Sequence, residues 1–340
     1  MSLAHRSAWP GALAALAVLA AGVLLAFALG RYSVSLADLA RLAWAKLTAQ
    51  SSGLPVNLET VVWQIRGPRV LAALAVGAAL SVAGTAFQGL FRNPLVSPDI
   101  LGASAGAALG AVLGIYFSLG ILGIQAAAFV GGLIAVALVY LLAASLRGGD
   151  AVLMLLLTGI VVGSLLGAGI GLVKYLADPY NQLPAMTFWL LGSLAGVSSR
   201  DLWPLATPVL AGTAVLLALR WKLNVMSLPD EEARSLGAST RLLRVAIVAA
   251  ATLVTAASVA TAGVVGWVGL VVPHLARLLV GPSFPRLLPT AAVLGGGFLL
   301  VIDTLARTLA AVEIPLGILT AVVGTPFFIV LLRSAHQRVA

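Results

Sequence analysis

The chain has 340 residues, 61% of them hydrophobic and only 9% charged. A soluble domain carries about a quarter charged residues, so this composition excludes a soluble protein and indicates one that lies mostly in a bilayer. The formal net charge of +9 does not indicate nucleic-acid binding, because the basic residues stand at the ends of apolar runs, as membrane topology requires.

Uncharged runs of about 20 residues, the length that a helix needs to cross a bilayer, predict ten transmembrane helices. In chain order they lie at 10–30, at 70–91, twice within 100–146 with a division at 118–123, at 151–175, at 202–221, twice within 245–276 around a glycine-rich break, at 288–308 and at 316–332. A short amphipathic piece is expected at 35–47, and a half-helix or re-entrant piece at 186–199. The predicted fold class is an all-α polytopic membrane protein with one transmembrane domain over residues 1–340.

Ten spans place both termini on the same side of the membrane. Residues 1–9 are basic and the run that follows lacks a convincing cleavage site, so we expect a retained first helix with a cytoplasmic N-terminus. This orientation puts more than half of the basic residues in cytoplasmic segments, as the positive-inside rule requires. One of these segments, 147–150, is predicted to be a tight polar turn.

Glycines recur along single helix faces, for example Gly102 and Gly106, and favour close helix packing over substrate contact. A weak internal echo is also present, because Gly89-Leu90 followed by Pro94 resembles Gly269-Leu270 followed by Pro273. Inverted repeats with broken helices at matching positions are common in transporters. The echo therefore predicts two inverted halves, with coincidence between glycine- and proline-rich breaks as the alternative.

The predicted cytoplasmic segment at about 223–240 contains a short helix bounded by Ser227 and Gly237. Ser227 can cap this helix, with Asp230 as the capping-box partner, and the acidic first turn, which includes Glu231, suits the helix dipole. Gly237 supplies a C-terminal stop. The helix is too short to span, and its apolar positions can face a partner protein while Glu231 and Arg234 flank them; those positions are Leu228, Ala233 and Leu236. The alternative is an ordinary solvated helix in a loop.

The few charges near the membrane cluster toward the predicted external end. Asp303 and Arg307 are four residues apart and can form an ion pair, and Glu313 stands two residues before Pro315. Arg66, Arg69 and Arg307 together predict a basic outer rim for acidic residues of a partner. His274, His5 and His336 lie too far apart in sequence to predict a local metal cluster, and the absence of cysteine excludes thiolate sites.

The chain contains no phosphate-binding GxxxxGK[ST] motif, so if ATP drives this protein, another chain binds it. A secondary carrier driven by an ion gradient is the competing hypothesis, but it predicts several acids at mid-membrane depth, and no such relay is visible. A membrane scaffold is a third possibility, and it leaves the capped helix between spans unexplained.

Several spaced motifs resemble those of the FecCD/BtuC family, the permease subunits of type II ABC importers. They are Arg66-Gly-Pro-Arg69 with Gly84 and Gln88-Gly-Leu-Phe-Arg-Asn-Pro-Leu95, Asp99-Ile-Leu-Gly102 with Gly106, Ala233-Arg-Ser-Leu-Gly237, Gly266-Trp-Val-Gly-Leu-Val-Val-Pro-His274 with Arg277, Asp303-Thr-Leu-Ala-Arg307, Glu313-Ile-Pro-Leu-Gly317 and Gly324-Thr-Pro-Phe-Phe328. Trp267 replaces the usual Phe. The resemblance covers about residues 66–333, and the order of the motifs makes it specific.

The resemblance implies a ten-helix protomer that pairs with a second copy around a central pathway, in the cytoplasmic membrane of a prokaryote. Two ATPase subunits would hold ATP and Mg²⁺ and would bind 227–237 and the Arg92-Asn93-Pro94 turn, so this chain would bind no cofactor and catalyse no reaction. A periplasmic or lipid-anchored binding protein would dock on Arg66, Arg69 and Arg307. The remaining motif positions would be structural or gating residues: Gly84, Gly102, Gly106, Gly269, Pro273, His274, Asp303, Glu313 and Pro315.

The implied cargo is an iron complex, namely a ferric siderophore or haem, with cobalamin as the alternative. No side chain in the sequence identifies the cargo, because the binding protein of such an importer supplies most of the selectivity.

Overall fold

The computed structural model describes residues 9–30, 32–146 and 150–336. Within these residues the chain is helical and contains no strand. The first helices are α1 (Trp9–Ala28), α2 (Leu36–Thr48), α3 (Val56–Thr60), α4 (Gly67–Leu90), α5 (Ala103–Tyr116), α6 (Ile121–Ser145), α7 (Ala151–Leu176) and α8 (Gln182–Leu191). The others are α9 (Leu202–Ala218), α10 (Arg220–Met226), α11 (Asp230–Ser235), α12 (Thr240–Ala262), α13 (Val268–Val280), α14 (Phe284–Thr308) and α15 (Leu316–His336). A π-helical turn, Val61–Arg66, joins α3 to α4, and a 3₁₀ turn, Pro98–Leu101, precedes α5.

The apolar helices follow the predicted spans. Five helical stretches in the described part of the chain are long and apolar enough to cross a membrane, and α9 with α10 forms a sixth that bends by 62°. Four shorter apolar helices lie within α1, α5, α13 and α15. These elements coincide one to one with the ten predicted helices, and the amphipathic piece appears as α2. The half-helix is shifted, because α8 ends at Leu191, and most of the predicted turn at 147–150 lies outside the described residues.

Helix α4 is the centre of the bundle. It contacts α1, α9, α12, α13 and α14, and 78% of its most apolar window is buried. Glycine allows two of these helices to approach closely, because a Cβ added at Gly84 would overlap the backbone of Gly269 on α13, and one at Gly77 would overlap Gly295 on α14. The two elements of the sequence echo, on α4 and α13, are therefore packed directly against each other.

The glycine-rich break predicted within 245–276 lies at 263–267, between α12 and α13. Gly263 has φ +70° and its backbone meets Gly192, which has φ +75° and follows α8. The Ser193 N–H donates to the Ala262 carbonyl (2.9 Å), and the Leu316 N–H donates to the Gly192 carbonyl (2.9 Å). The ends of α8 and α12 and the start of α15 therefore meet at one glycine junction.

Candidate functional site at the two ends of the bundle

The residues that the sequence singles out fall at opposite ends of α4. We call the end that holds Arg66, Arg69 and Arg307 the arginine end, and the end that holds Asn93 and α11 the coupling end. Helices α4 and α13 run from the first toward the second, whereas α12 and α14 run the other way, so these long helices connect the two ends directly.

Arg69 is the hub of an ion cluster at the arginine end. Its Nε and Nη2 atoms donate to Asp303 Oδ1 at 2.9 and 2.8 Å, and its Nη1 and Nη2 atoms donate to Glu313 Oε2 and Oε1 at 3.0 and 2.7 Å. Arg69 is 8% exposed and Asp303 is fully buried. Such charge-assisted, two-pronged contacts are strong because the fork of the guanidinium matches the carboxylate. The cluster joins α4 to α14 and to the segment before α15.

Glu313 extends this cluster to a further segment. It also accepts a hydrogen bond from Ser193 Oγ (3.1 Å), next to the glycine junction. Partial burial opposes the charged form of this carboxyl, but the hydrogen bonds and the positive charge of Arg69 outweigh burial and lower the pKa of Glu313. Glu313 therefore stays ionised and connects the junction to the bundle.

Arg66 and Arg307 close the end of α1. Arg66 donates to the carbonyl oxygens of Phe27 and Tyr32, and Arg307 donates to those of Leu29 (2.7 Å) and Ala26. The last carbonyls of a helix have no partner within the helix and carry the negative end of its dipole, so two guanidinium groups satisfy them well. The predicted pair of Asp303 and Arg307 is present as a longer contact, with 3.7 Å between Nε and Oδ2.

The three arginines of the predicted basic rim are largely buried. Arg66 and Arg69 are 5% and 8% exposed, and the Arg307 side chain is 12% exposed. The sequence correctly placed three arginines at one end, but all three donate to groups of their own chain. Their docking to a binding protein stays a prediction.

At the coupling end, α11 is held firmly to α12. Arg244 Nη2 donates to both oxygens of Asp230, at 3.1 and 2.8 Å, and Ala233 is buried. Gly237 has φ +79°, and its N–H donates to the Arg234 carbonyl (2.9 Å) while the Ala238 N–H donates to the Ala233 carbonyl (3.1 Å). This is the Schellman ending that the glycine predicted.

Two details of this helix differ from the sequence prediction. Ser227 does not cap it, because α11 begins at Asp230 after Pro229, and the Ser227 hydroxyl instead donates to the Leu223 carbonyl (2.9 Å) in α10. Ala233 does not face outward as expected but packs against its own chain, and Leu228 is half-buried. The apolar side chain exposed at the end of α11 is Leu236, which is 65% exposed, with Glu231 and Arg234 exposed beside it.

The turn after α4 lies at the same end. The Arg92 and Asn93 N–H groups donate to the carbonyls of Gly89 and Gln88, so the helix ends in a Schellman-type turn with Arg92 at φ +50°. Asn93 Oδ1 accepts from the Leu95 N–H (2.9 Å), and Arg92 lies 3.7 Å from the Asp150 carboxylate. Pro94 is exposed. The chain therefore turns at the surface at Arg92-Asn93-Pro94, as predicted.

The other motif positions lie inside the bundle. A Cβ at Gly106 on α5 would overlap Gly131 on α6, and Gly102 begins α5 with φ +78°. Pro273 is buried within α13, His274 is half-buried beside it, and Pro315 immediately precedes α15. Among the described residues, no three His, Asp or Glu side chains converge to form a metal site.

The sequence did not identify several polar pairs. Gln88 on α4 accepts from Arg277 Nη2 (3.2 Å) on α13, and Gln125 Nε2 donates to Asp201 Oδ1 (2.9 Å). The partners are separated by 189 and 76 residues, so no local spacing reveals them. The only hint was that Gln88 and Arg277 each stand in a family-like motif.

The model of the FecCD transport family matches residues 18–334. The chain belongs to the FecCD transport family. This confirms the family predicted from the motifs, and with it a membrane permease of the type II ABC importer class rather than an ion-driven carrier or a scaffold.

Relatives and a solved structure agree over nearly the full length. A molybdate import permease of Haemophilus influenzae, MolB, is 39% identical over 91% of both chains. A cobalamin permease of Halobacterium salinarum, BtuC, is 39% identical over 87% of this chain and 81% of its own, and a hemin permease of Yersinia pestis, HmuU, is 41% identical over 82% and 85%. A structure described as an inward-facing metal-chelate type ABC transporter superposes with a TM-score of 0.86 at 35% identity, covering 95% of this chain and 98% of that one.

Proposed function

We propose that this permease works as the membrane subunit of an ATP-driven importer for an iron complex, a ferric siderophore or haem. Helix α11 is the observation that carries the coupling part of the proposal. Six residues long, it is tied to α12 by the pair of Asp230 and Arg244, ends firmly at Gly237, and still exposes Leu236. A rigid element with an exposed apolar tip suits contact with another protein better than a solvated loop does.

Force on α11 would pass directly to α12. Helix α12 runs from the coupling end to the glycine junction, where its last carbonyl and Gly263 meet Ser193 and Gly192. Because these backbone atoms are in direct contact, movement of α12 would displace the glycine junction and, through Ser193, the Glu313 cluster at the arginine end. ATP binding and hydrolysis on two partner ATPase subunits would then select between two states of the pathway, through their different affinity for each state.

The arginine end would face the exterior and receive the binding protein, and the coupling end would face the cytoplasm, as would both termini. Docking through Arg66, Arg69 and Arg307 requires these side chains to exchange carbonyl and carboxylate partners of their own chain for acidic residues of the binding protein. Docking would thus loosen the end of α1 and the Glu313 cluster at the same time.

A second copy of the chain completes the pathway in this proposal. Only 22% of the most apolar window of α7 is buried, in contrast to α4, so α7 must be covered by lipid or protein. A second copy placed against α7 and its neighbours would enclose a route between the two protomers, giving a homodimer. The chain itself would bind neither ATP nor Mg²⁺.

Within this function the cargo has three candidates. An iron complex is favoured because hemin and iron-chelatin permeases recur among the relatives, for example in Helicobacter pylori at 39% identity over 81% of this chain. Molybdate is the second candidate, because the H. influenzae relative that imports it matches 91% of both chains. Cobalamin is a third, supported by the Halobacterium permease.

The test is uptake by proteoliposomes that contain this chain with its cognate ATPase, supplied with its binding protein. Labelled ferric siderophore, haem, cobalamin and molybdate are offered separately, with ATP or a non-hydrolysable analogue inside. ATP-dependent uptake of an iron complex supports the proposal. Uptake of molybdate alone would assign the second cargo, and uptake that persists without the ATPase would contradict the coupling mechanism.

A further inference from the structure

A pocket of about 580 Å³ opens at the coupling end, beneath the tip of α4. Its walls come from the end of α4 and the turn that follows, from α10, from the end of α13 and from the start of α14. The polar side chains that line it are Gln88, Arg92, Asn93, Asn224, Ser227, Arg277 and Ser283.

The charged side chains that line the pocket are all positive. Two of its lining side chains are guanidinium groups, and no carboxylate is among the residues that line it. Arg92 pairs with Asp150, which lies outside the lining, at 3.7 Å. Arg277 therefore keeps a positive charge that the walls of the pocket do not balance.

Arg277 is the centre of this imbalance. It is half-buried, and its Nη2 atom donates to the neutral amide oxygen of Gln88 (3.2 Å). Within the part of the chain that the structure describes, no carboxylate comes within ion-pair distance of it. Asn224 uses Oδ1 to accept from the Phe284 N–H (3.0 Å), which leaves its Nδ2 group available as a donor. Half-burying a cation without a counter-charge is costly, so a partner is expected to supply one.

We infer that this pocket receives an acidic side chain, Asp or Glu, of the ATPase subunit, with Arg277 as its main contact. The inference rests on the proposed function and extends it. Lipid is disfavoured as the occupant, because α4, whose end forms one wall of the pocket, packs against α1, α9, α10, α12, α13 and α14. The proposed contacts of the ATPase, Ser227 before α11 and Arg92 to Pro94, form part of the same rim.

This arrangement gives the ATPase two points of attachment on each protomer. One is the exposed tip of α11, which leads into α12. The other is the pocket, where Arg277 belongs to α13 and Gln88 to α4. Since α13 and α4 cross at the contact of Gly84 with Gly269, an acid bound to Arg277 would act on the centre of the bundle rather than on its edge.

The first experiment compares Arg277→Gln with Arg286→Gln in the complete transporter. Arg286 is exposed at the same end but does not line the pocket, so it controls for loss of a positive charge. Loss of a charge-assisted bond predicts that ATPase binding and ATP-dependent uptake fall about tenfold in Arg277→Gln and stay near wild type in Arg286→Gln. Equal uptake in the two variants would overturn the inference.

A second variant guards against misfolding. Asn224→Asp keeps the oxygen that accepts from the Phe284 N–H but places a negative charge in the pocket, so it should repel the acid and lower uptake while the permease keeps its thermal stability. Unchanged coupling in a stable Asn224→Asp transporter would count against an acidic occupant.

Cross-linking identifies the occupant directly. In Arg277→Lys the new amine can form an amide with a carboxylate that a carbodiimide has activated, and the wild-type complex, with exposed Lys222 at the same end, sets the background. We expect a product joining position 277 to an Asp or Glu of the ATPase, and none from Arg286→Lys. No new product, a lipid adduct or an equal yield from Arg286→Lys would refute the inference. If the wild-type transporter itself shows no ATP-dependent uptake, the proposed function fails as well; if the wild type transports and only these results are negative, the inference alone fails.

Discussion

The arginine end and the coupling end both carry basic residues, but the two ends differ in how these residues are bonded within the chain. At the arginine end Arg69 bonds two carboxylates, and Arg66 and Arg307 bond the carbonyls of α1, all within the chain. At the coupling end, within the described part of the chain, Arg277 bonds only a neutral amide, and Leu236 is 65% exposed. The arginines of the arginine end are bonded within the chain, whereas at the coupling end Arg277 has no counter-charge among the described residues and the Leu236 side chain is largely exposed.

This difference separates residues that hold the protomer together from residues that await a partner. A guanidinium with its donors filled contributes to stability, and it can meet another protein only by giving up bonds it already has. A half-buried guanidinium without a counter-ion contributes little until a partner arrives. Substitutions at the two ends should therefore affect different measurements.

The largest expected effect on stability is at the arginine end. Arg69→Gln would leave the buried Asp303 carboxylate without its main counter-charge, so the free energy of unfolding should fall by about 3–5 kcal/mol. Thermal unfolding in detergent measures this, with Arg41→Gln on the exposed face of α2 as the control, expected to lie within about 0.5 kcal/mol of wild type. Equal midpoints for the two variants would show that the cluster does not hold this end together.

A smaller loss is expected where α4 crosses α13 between the ends. Gly84→Ala would force a methyl group against the backbone of Gly269, which predicts a loss of about 1–3 kcal/mol. Gly22→Ala on α1 is the matched control, because no atom lies within 4 Å of the added Cβ, and a more helix-favouring residue there should be neutral or slightly stabilising. If both substitutions behave alike in thermal unfolding, the close crossing is not what requires glycine.

At the coupling end the effect should appear in transport and leave stability unchanged. Leu236→Asp alters an exposed side chain, so unfolding should change by no more than about 0.5 kcal/mol. Uptake and co-purification of the ATPase should nevertheless fall several-fold, because an apolar contact becomes charged. Ser239→Asp, exposed just beyond α11, is the control and should transport normally. Normal uptake by Leu236→Asp would remove α11 from the coupling surface.

The smallest effect expected is a pH dependence confined to the arginine end. The pKa of Glu313 is lowered in the folded protein, so its contribution to stability is fully present above its unfolded value of about 4.3 and is lost as pH falls through the lower folded value. Unfolding midpoints recorded from about pH 6 to about pH 3 should fall more steeply for wild type than for Glu313→Gln. Parallel curves would mean that Arg69 does not favour the ionised form.

The sequence predicted the helices well because each span is a local pattern. A charge-free run of bilayer length, or a glycine such as Gly237 at a helix end, can be recognised from adjacent residues alone. The ending of α11 and the break at Gly263 were confirmed for that reason.

The partners of the charged side chains could not be predicted from the sequence. Arg69 meets Glu313 across 244 residues, and nothing in the spacing distinguishes a guanidinium that faces a partner from one that turns onto its own chain. The bonds of Arg66 and Arg307 could not be foreseen because their acceptors at the end of α1 are backbone carbonyls, which no sequence pattern marks. Ser227 was misjudged because Pro229 starts the helix two residues later.

The closure of α1 has a consequence for assembly. Helix α1 is synthesised before α4 and α14, yet two of the groups that satisfy its final carbonyls arrive with residues 66 and 307. Until the second of them is made, those carbonyls must stay hydrated near the surface of the bilayer. Helix α1 is therefore completed by a helix that follows much later in the chain, so a nascent chain stopped before α14 would carry an α1 that is inserted but unanchored.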